Sequence, residues 1–221
     1  MVTINPSHAH FVDVETTDEN WRHAQLVHSE FKTKPGSECI STEFSLAYLS
    51  AVMTRYLPRT ILELGAGIGT VTKLLLTHPH RPDCIVVTED NEYCISAFKN
   101  NLTNYESEGV LLVTDLAELI AQDLQYDLII CDGGFEDKNQ FKGLSEHTIF
   151  FFEGSRGPHR RLLRQHLDEI GLMYVENNYV QKGYKFYFAK NPYHFLGISI
   201  PKPKMKRKKG CWIGRAVADQ I

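Results

Sequence analysis

The sequence has little of what marks secreted, membrane-spanning or zinc-binding proteins. Its 221 residues include five cysteines, an odd number, which lie far apart and form no CxxC pair. That pattern favours reduced thiols in a cytoplasmic protein over a disulfide framework or a zinc site. No run approaches the roughly 20 apolar residues of a membrane span. The first residues are polar, with no basic stretch before an apolar run, so no secretory signal is expected.

Net charge is also small, with a formal value of −3, but the charges are distributed unevenly. Six of the eight residues in Lys202–Lys209 are basic. Without them, 18 basic residues stand against 27 acidic ones, so the rest of the chain carries a charge of −9. A basic run is one signal of a polyanionic partner, whereas an acidic body argues against nucleic acid as the main ligand.

Short apolar runs alternate with helical patterns through the middle of the chain. Near-continuous apolar strands that alternate with helices predict an α/β fold, in which helices cover both faces of a parallel sheet. The predicted strands are Thr60–Leu64, Cys84–Glu89, Val110–Thr114, Tyr126–Cys131 and Thr148–Phe152. The predicted helices are Thr42–Tyr56, Thr70–Thr77, Asn91–Leu102, Leu116–Gln122 and Pro158–Ile170.

The pattern changes after the last predicted helix. Met173–Val180 and Tyr184–Lys190 are rich in aromatic and β-branched residues, and a short turn containing Gly183 joins them. These two runs predict an antiparallel β-hairpin at the end of the core.

The chain is expected to consist of three parts. We expect a core domain over residues 40–190, an N-terminal extension or cap over residues 1–39, and a C-terminal extension over residues 191–221. Within the last part, residues 202–209 form a basic loop between two apolar segments. Those segments are expected to pack on the core or on a second copy of the chain in a homodimer.

The most informative segment is Ile61–Thr70, ILELGAGIGT, in which a buried strand leads into glycines and then into a helix. Glycines permit a tight turn and a close approach of the backbone to a ligand. The spacing is GxGxG, which differs from the GxGxxG of dinucleotide-binding proteins. Glu63, two residues before Gly65, suits a cationic amino-acid group better than a pyrophosphate.

Acidic residues recur at the carboxyl ends of four successive predicted strands, at Glu63, Glu89, Asp115 and Asp132. Open α/β sheets bind their ligands at this edge. Glu89 follows Gly69 by twenty residues, and an acid at that distance typically accepts hydrogen bonds from ribose hydroxyls. The pattern therefore indicates a ligand that contains a nucleoside.

Together, these segments resemble the class I S-adenosylmethionine-dependent methyltransferases. ELGAGIG, VVTEDNEYC, VTDLAELI and YDLIICDGG match the family's motifs in order, and the resemblance covers about residues 40 to 190. It implies a mostly parallel seven-stranded sheet with a C-terminal antiparallel hairpin, and S-adenosylmethionine as the cofactor. The implied cofactor-binding residues are Ser41, Glu63, Gly65, Gly67, Gly69, Glu89, Asp115 and Asp132.

Within this class, the chain looks most similar to small-molecule O-methyltransferases of the catechol and caffeoyl-CoA type. Ser41 stands where those enzymes contact the methionine end of the cofactor; for Ser41 and Asp115 a helix N-cap is the alternative role. The same enzymes hold a divalent cation with an acid after the fourth strand and an Asp-Asn pair after the fifth. Asp132 and Glu153 match the first two positions, but Gly154 has no side-chain ligand, so no metal site is predicted.

Methyl transfer to a hydroxyl or amine is helped by a general base near the reacting atom. The candidate catalytic residues are Asp132, Glu153 and His159, all next to the carboxyl ends of predicted strands. For Glu153, a solvated strand end is the alternative interpretation. Arg156 lies in the same glycine-rich loop as His159 and is suited to clamp an anionic acceptor.

Methylation of an oxygen or nitrogen of a small-molecule acceptor is the principal hypothesis. The alternative is an RNA or protein methyltransferase that uses residues 202–209 to hold its substrate. Against that alternative, Asp132 is followed by two glycines where many such enzymes carry [ND]PP[YF]. A non-catalytic cofactor-binding or scaffold domain is a further alternative, against which the intact Glu63 and Glu89 argue.

Overall fold

The computed structural model describes residues 14–154, 156–180 and 210–218. Within these residues, seven strands form one sheet in the order β3-β2-β1-β4-β5-β7-β6. The strands are β1 Thr60–Leu64, β2 Cys84–Thr88, β3 Val110–Val113, β4 Leu128–Cys131, β5 Ile149–Glu153, β6 Leu172–Val180 and β7 Gly210–Ala218. The helices are α1 Asp18–Lys32, α2 Glu43–Tyr56, α3 Thr70–Thr77, α4 Glu92–Asn101, α5 Leu116–Ala121 and α6 Gly157–Glu169.

Strands β1 to β5 are parallel to one another, and β7 is antiparallel to both β5 and β6. The predicted α/β fold with a mostly parallel seven-stranded sheet and an antiparallel end is therefore confirmed. The parallel strands are apolar on both sides because helices cover both faces. In β5, for example, Ile149 and Phe151 lie in one apolar cluster, and Phe150 and Phe152 lie in the other.

The first apolar cluster joins the sheet to helices α1 to α4, and the second joins it to α5, α6 and a 3₁₀ turn at Lys138–Phe141. Strand β1 alternates between them, so Ile61 belongs to the first cluster and Leu62 to the second. Glu63 consequently points toward the α3 side of the sheet, where its carboxyl group contacts Thr72. This alternation brings a buried acid to the strand end that precedes the glycine turn.

The antiparallel end of the sheet contains a strand that the sequence did not reveal, β7. The strand that pairs with β6 is β7, and the predicted second hairpin strand, Tyr184–Lys190, lies outside the described residues. Residues 210–218 therefore belong to the central sheet. Local composition does not reveal this pairing, because β6 and β7 are separated by 29 residues that lie outside the described part.

Helix α1 lies in the predicted N-terminal extension and packs on α2 and α3. Thr17 caps it, since its side chain accepts a hydrogen bond from the backbone of Asn20, whose own side chain bonds back to Thr17. Ala24, Val27 and Phe31 form the buried side of the helix. Among the described residues, no helix has the length and apolar character needed to cross a bilayer.

Candidate functional site

The glycine turn after β1 has a left-handed backbone at all three glycines, with φ of 84° at Gly65, 54° at Gly67 and 95° at Gly69. A Cβ atom at Gly65 would lie 2.5 Å from the Cα of Gly133, so the turn passes directly against the loop after β4. A Cβ atom at Gly67 would meet nothing within 4 Å. The backbone at Gly67 therefore borders open space, as a backbone that receives a ligand does.

Glu89 ties the glycine turn to the end of β2. One carboxylate oxygen, Oε2, accepts a hydrogen bond from the N–H of Gly67 at 2.7 Å. The other, Oε1, accepts from the N–H groups of Asp90 at 3.1 Å and Asn91 at 3.0 Å. A carboxylate offers about four lone-pair directions, so acceptor capacity remains on this partly exposed side chain.

Glu63 is completely buried beside this turn. Its Oε2 accepts a hydrogen bond from the Thr72 hydroxyl at 2.6 Å, while Oε1 is buried without a partner. Burial raises the pKa of Glu63 well above its ordinary value, and the charges of Asp132 and Glu89 raise it further. An unpartnered carboxyl oxygen in the interior costs free energy, which a cationic or hydrogen-bonding ligand would offset.

Asp115 lies apart from these acids, at the exposed end of β3. It caps helix α5, since its Oδ1 accepts a hydrogen bond from the N–H of Glu118 at 2.7 Å. Asp115 therefore has the alternative role considered for it, that of a helix N-cap. The contact of Asp115 with adenine through its second carboxylate oxygen remains a prediction.

Asp132 connects three elements at the centre of the sheet edge. Its backbone N–H donates to the carbonyl of Leu64 at 3.0 Å. Its Oδ2 accepts a hydrogen bond from the hydroxyl of Ser41 at 2.7 Å, and its Oδ1 pairs with Nη2 of Arg156. Ser41 is buried and therefore holds the carboxylate rather than capping α2, whose N-cap is Thr42.

Glu153, the last residue of β5, lies close to Asp132. Its Oε1 accepts a hydrogen bond from the hydroxyl of Ser45 at 3.3 Å. Burial raises the pKa of Glu153 to about 7, and the negative charge of Asp132 adds to the increase while Arg156 opposes it. A carboxyl group with this pKa exchanges a proton readily near neutral pH, as a general base must.

His159 lies in the first turn of α6 and is partly buried. Burial lowers its pKa, although a hydrogen bond to the backbone of Gly134 acts in the opposite direction. Its Nε2 is buried without a hydrogen-bond partner. The lowered pKa favours the neutral imidazole.

The structure brings the predicted residues Ser41, Asp132 and Glu153 together, with Glu63 and Glu89 close enough to interact electrostatically. Sequence reasoning did not identify Ser45 or Thr72, which hold Glu153 and Glu63. The only signal for Ser45 is its position one helical turn after Ser41. In the described part of the chain, no group of three His, Cys, Asp or Glu side chains is arranged to hold a metal ion.

Comparison with known proteins agrees with this geometry. The family model "Methyltransferase small domain" matches residues 21–152. The fold is similar to that of the SAH-bound Podospora anserina methyltransferase PaMTH1, with a TM-score of 0.57, 13% identity and 97% of each chain covered. It is also similar to the Bacillus cereus O-methyltransferase in complex with SAH, with a TM-score of 0.54, 14% identity and 94% of each chain covered.

A third similar structure is the O-methyltransferase TomG from Streptomyces achromogenes, with a TM-score of 0.54, 14% identity, and 95% of this chain and 94% of TomG covered. No match was found among curated proteins. The predicted resemblance to class I methyltransferases is confirmed by the family model and by these shared folds. The chain belongs to the methyltransferase small domain family.

Proposed function

We propose that the protein transfers the methyl group of S-adenosylmethionine to an oxygen or nitrogen atom of a small-molecule acceptor. The observation that carries the proposal is the hydrogen bond that the carboxylate of Glu89 accepts from Gly67. It fixes the N–H of Gly67 at 2.7 Å, beside open space, within electrostatic range of the buried Glu63. A nucleoside with a cationic amino-acid tail matches this arrangement of a hydrogen-bond acceptor, a bare backbone and a buried acid.

Each predicted binding residue has a chemical task in this proposal. The free lone pairs of Glu89 accept hydrogen bonds from the ribose hydroxyls, and the family resemblance assigns Asp115 to the adenine. Gly65, Gly67 and Gly69 let the ligand approach the backbone. Asp132 supplies negative charge for the ammonium and sulfonium groups, with Ser41 fixing its carboxylate at 2.7 Å. Glu63 offers a carboxyl oxygen that has no partner within the protein.

The cofactor supplies an electrophilic methyl group when it is bound, so the residues of this chain have to orient the acceptor and accept its proton. Glu153 is one base, because its pKa of about 7 lets it take a proton near neutral pH. His159 is the other, because burial lowers its pKa and its Nε2 has no hydrogen-bond partner. Glu153 is close enough to Asp132 for the negative charge of Asp132 to raise its pKa.

A small-molecule acceptor is supported by two considerations. The acidic body of the chain repels polyanions, and similar folds are found in O-methyltransferases, including an enzyme from Klebsiella pneumoniae described as a putative O-methyltransferase. TomG is described as involved in tomaymycin synthesis. Both similarities are below 25% identity and show the fold alone.

Calorimetric titration with S-adenosylmethionine and S-adenosylhomocysteine tests the proposal. The wild type should bind both, and Glu89→Ala should weaken binding at least about tenfold, because hydrogen bonds to a charged group contribute about 1.5–3 kcal/mol. Glu92→Ala is the matched control, since Glu92 is an exposed acid three residues away. Absence of wild-type binding at millimolar ligand would refute the proposal, and an unchanged Glu89→Ala affinity would refute the ribose position.

A second candidate function is methylation of RNA or protein, with residues 202–209 holding the substrate. Residues 202–209 lie outside the described part of the chain, but Gly210 begins β7 next to Cys211, which pairs with Glu153. The first described residue after the basic segment, Gly210, therefore lies at the same sheet edge as the candidate base. Binding to mixed RNA that falls steeply with salt, and that is lost on neutralising Lys206–Lys209, would favour this function.

A further inference from the structure

A short segment crosses the edge of the sheet at which the candidate site lies. We call residues 36–41 the strap. At one end of it, a Cβ atom at Gly36 would lie 2.9 Å from Cγ2 of Ile68, in the glycine turn after β1. At the other end, the hydroxyl of Ser41 donates to Oδ2 of Asp132 at 2.7 Å. The strap therefore passes from the glycine turn to the end of β4.

The two ends of the strap are held by contacts of different kinds. Ser41 makes a hydrogen bond to a charged acceptor, which is a strong contact. At Gly36 the contact is van der Waals packing, in which an added Cβ atom would also lie 3.0 Å from Cε1 of Tyr93, the second residue of α4. Between the two ends lies a single 3₁₀ turn, Ser37–Cys39. The end of the strap next to α4 is therefore the more weakly held.

Two cysteines stand on either side of this weaker contact. Cys39 is exposed in the strap, and Cys94 is partly buried in the first turn of α4. Burial raises the pKa of Cys94, and the charges of Glu89 and Cys39 raise it further. Because Coulombic interactions weaken with distance, the two sulfur atoms lie near each other and near the carboxylate of Glu89.

The other three cysteines are placed differently. Cys131 and Cys211 are buried in strands of the sheet, and Cys84 begins β2, at the opposite edge of the sheet from the glycine turn. Redox-sensitive cysteines are accessible to an oxidant and often lie beside a second thiol that completes a disulfide. Cys39 and Cys94 meet both conditions.

We propose that Cys39 and Cys94 are a redox modification site, at which a reversible disulfide fastens the strap across the cofactor edge of the sheet. A disulfide requires Cα atoms within about 7 Å, so the bond draws the middle of the strap onto the start of α4, beside Glu89. Reversible disulfides in otherwise reduced proteins typically sense oxidation. The bond itself does not depend on the proposed function, whereas its effect on the cofactor rests on that function.

The reaction balances with glutathione disulfide as the oxidant. The thiolate of Cys39 attacks one sulfur of glutathione disulfide, which forms a mixed disulfide and expels one glutathione thiolate. The thiolate of Cys94 then attacks the sulfur of Cys39 and expels the second. The two cysteines lose two electrons, glutathione disulfide gains them, and the two protons lost by the cysteines are taken up by the two glutathiones.

The first measurement is disulfide mapping of the full chain, oxidised with glutathione disulfide at about pH 8.5, where thiolates form. Mass spectrometry follows digestion after glutamate without reduction, because cleavage at Glu89 separates Cys94 from Cys84. We expect a peptide in which Cys39 is linked to Cys94, formed at a rate independent of protein concentration. Dithiothreitol should reverse the linkage.

Cysteine variants supply the controls for the mapping. Cys94→Ser should leave Cys39 as a stable glutathione adduct, because the second thiol is missing. Cys84→Ser is the matched control, since Cys84 is also partly buried, and it should form the Cys39–Cys94 linkage as the wild type does.

The second measurement is the release of S-adenosylhomocysteine. Protein loaded with radiolabelled S-adenosylhomocysteine is oxidised and then diluted into unlabelled ligand. The oxidised wild type should release the label about tenfold more slowly than the reduced protein, because a closed strap limits exchange of the ligand. Oxidation of Cys39→Ser should leave the rate of release unchanged.

Three results would overturn the inference. They are the absence of the Cys39–Cys94 peptide after oxidation, a linkage whose rate rises with protein concentration and therefore forms between chains, and an unchanged rate of release from protein that carries the disulfide. Failure of the proposed function is distinguishable, because the reduced wild type would then not bind S-adenosylhomocysteine although the linked peptide forms.

Discussion

Helix α2 has a polar cluster near each end, one acidic and one neutral. Near its start, Ser41 and Ser45 bond to the acids Asp132 and Glu153. Near its end, Ser50 and Thr54 bond to neutral groups of α1 and of the segment after α3. We call the first the acidic cluster and the second the histidine cluster, after His23 and His78, whose rings lie 5.5 Å apart.

The two clusters differ in how completely their polar atoms are paired. In the histidine cluster, both ring nitrogens of His78 have partners, including the carbonyls of Ser50 and His80. Both ring nitrogens of His23 have hydroxyl partners as well. Around the acidic cluster, Glu63, Arg156 and His159 each keep a buried atom without a partner. The bonded rings of His23 and His78 are a structural feature, whereas unused donors and acceptors around the acidic cluster indicate a ligand site.

Stability should respond to pH with opposite signs in the two clusters. Burial raises the pKa of Glu153 to about 7, above the ordinary value of 4.5, so the folded state binds its proton more tightly. Burial lowers the pKa of His78, so the unfolded state binds its proton more tightly. Raising the pH therefore weakens the fold through Glu153 and strengthens it through His78.

The largest expected effect comes from Gly65→Ala, which disrupts the turn beside the acidic cluster. The new Cβ would lie 2.5 Å from the Cα of Gly133, in a backbone with φ of 84°. We expect the free energy of unfolding to fall by about 3 kcal/mol, from the clash and the strained backbone together. Urea denaturation measures this loss of unfolding free energy. Gly67→Ala is the control and should cost only about 1 kcal/mol, so equal losses would contradict the close packing at Gly65.

Glu153→Gln tests the sign of the pH dependence in the acidic cluster. In the wild type, the stabilising contribution of the protonated carboxyl is complete below pH 4.5 and is lost as the pH rises to about 7. The loss is at most about 3 kcal/mol, at 1.36 kcal/mol for each pKa unit. The variant cannot ionise, so its stability should fall less over this interval. Parallel wild-type and variant profiles from urea denaturation at each pH would contradict the raised pKa.

Ser41→Ala removes one of the two groups that hold Asp132. A hydrogen bond to a charged acceptor contributes about 1.5–3 kcal/mol, so we expect a loss of about 2 kcal/mol in unfolding free energy. Ser45→Ala is the comparison, because its bond to Glu153 is longer, at 3.3 Å against 2.7 Å, and should contribute less. Thermal unfolding of both variants compares their losses of stability. A larger loss for Ser45→Ala would contradict the inference that the Ser41 hydrogen bond is the stronger of the two.

The smallest effect is expected from His78→Gln, in the histidine cluster. Because burial lowers the pKa of His78, wild-type stability should rise as the pH increases toward 6.5. The variant should lose part of that rise, while its amide keeps hydrogen-bonding capacity. The measurement is the same denaturation series as for Glu153→Gln. The prediction is contradicted if wild-type stability falls with rising pH and the stability of the variant falls less. His78 would then change stability with pH in the same direction as Glu153.

The parts of the fold that follow local patterns were predictable from the sequence. Helix Thr70–Thr77 has its predicted bounds, and the ends of the parallel strands moved by at most two residues. The acids at the strand ends were recognisable because parallel strands finish at one edge. Helix α1 was missed because its sequence is mostly polar, and its buried residues Ala24, Val27 and Phe31 form a narrow stripe.

Other features depend on contacts between distant parts of the chain. The pairing of Arg156 with Asp132 joins two loops, and the bond from Ser41 joins residues 91 positions apart. Neither follows from spacing along the sequence. The position of β7 was missed for the same reason, because its partners β5 and β6 both precede it and the order of strands in a sheet is not a local property.

The location of β7 has a consequence for how the protein acquires its fold. Strand β7 lies between β5 and β6 but comes after both of them in the chain. During synthesis, β5 therefore has an unpaired apolar edge, containing Phe150, Phe151 and Phe152, until residues 210–218 emerge from the ribosome. An unpaired edge of this kind promotes association between chains. Truncation before Gly210 should thus leave a chain that aggregates, and the nascent protein is most vulnerable in the interval between completing β6 and completing β7.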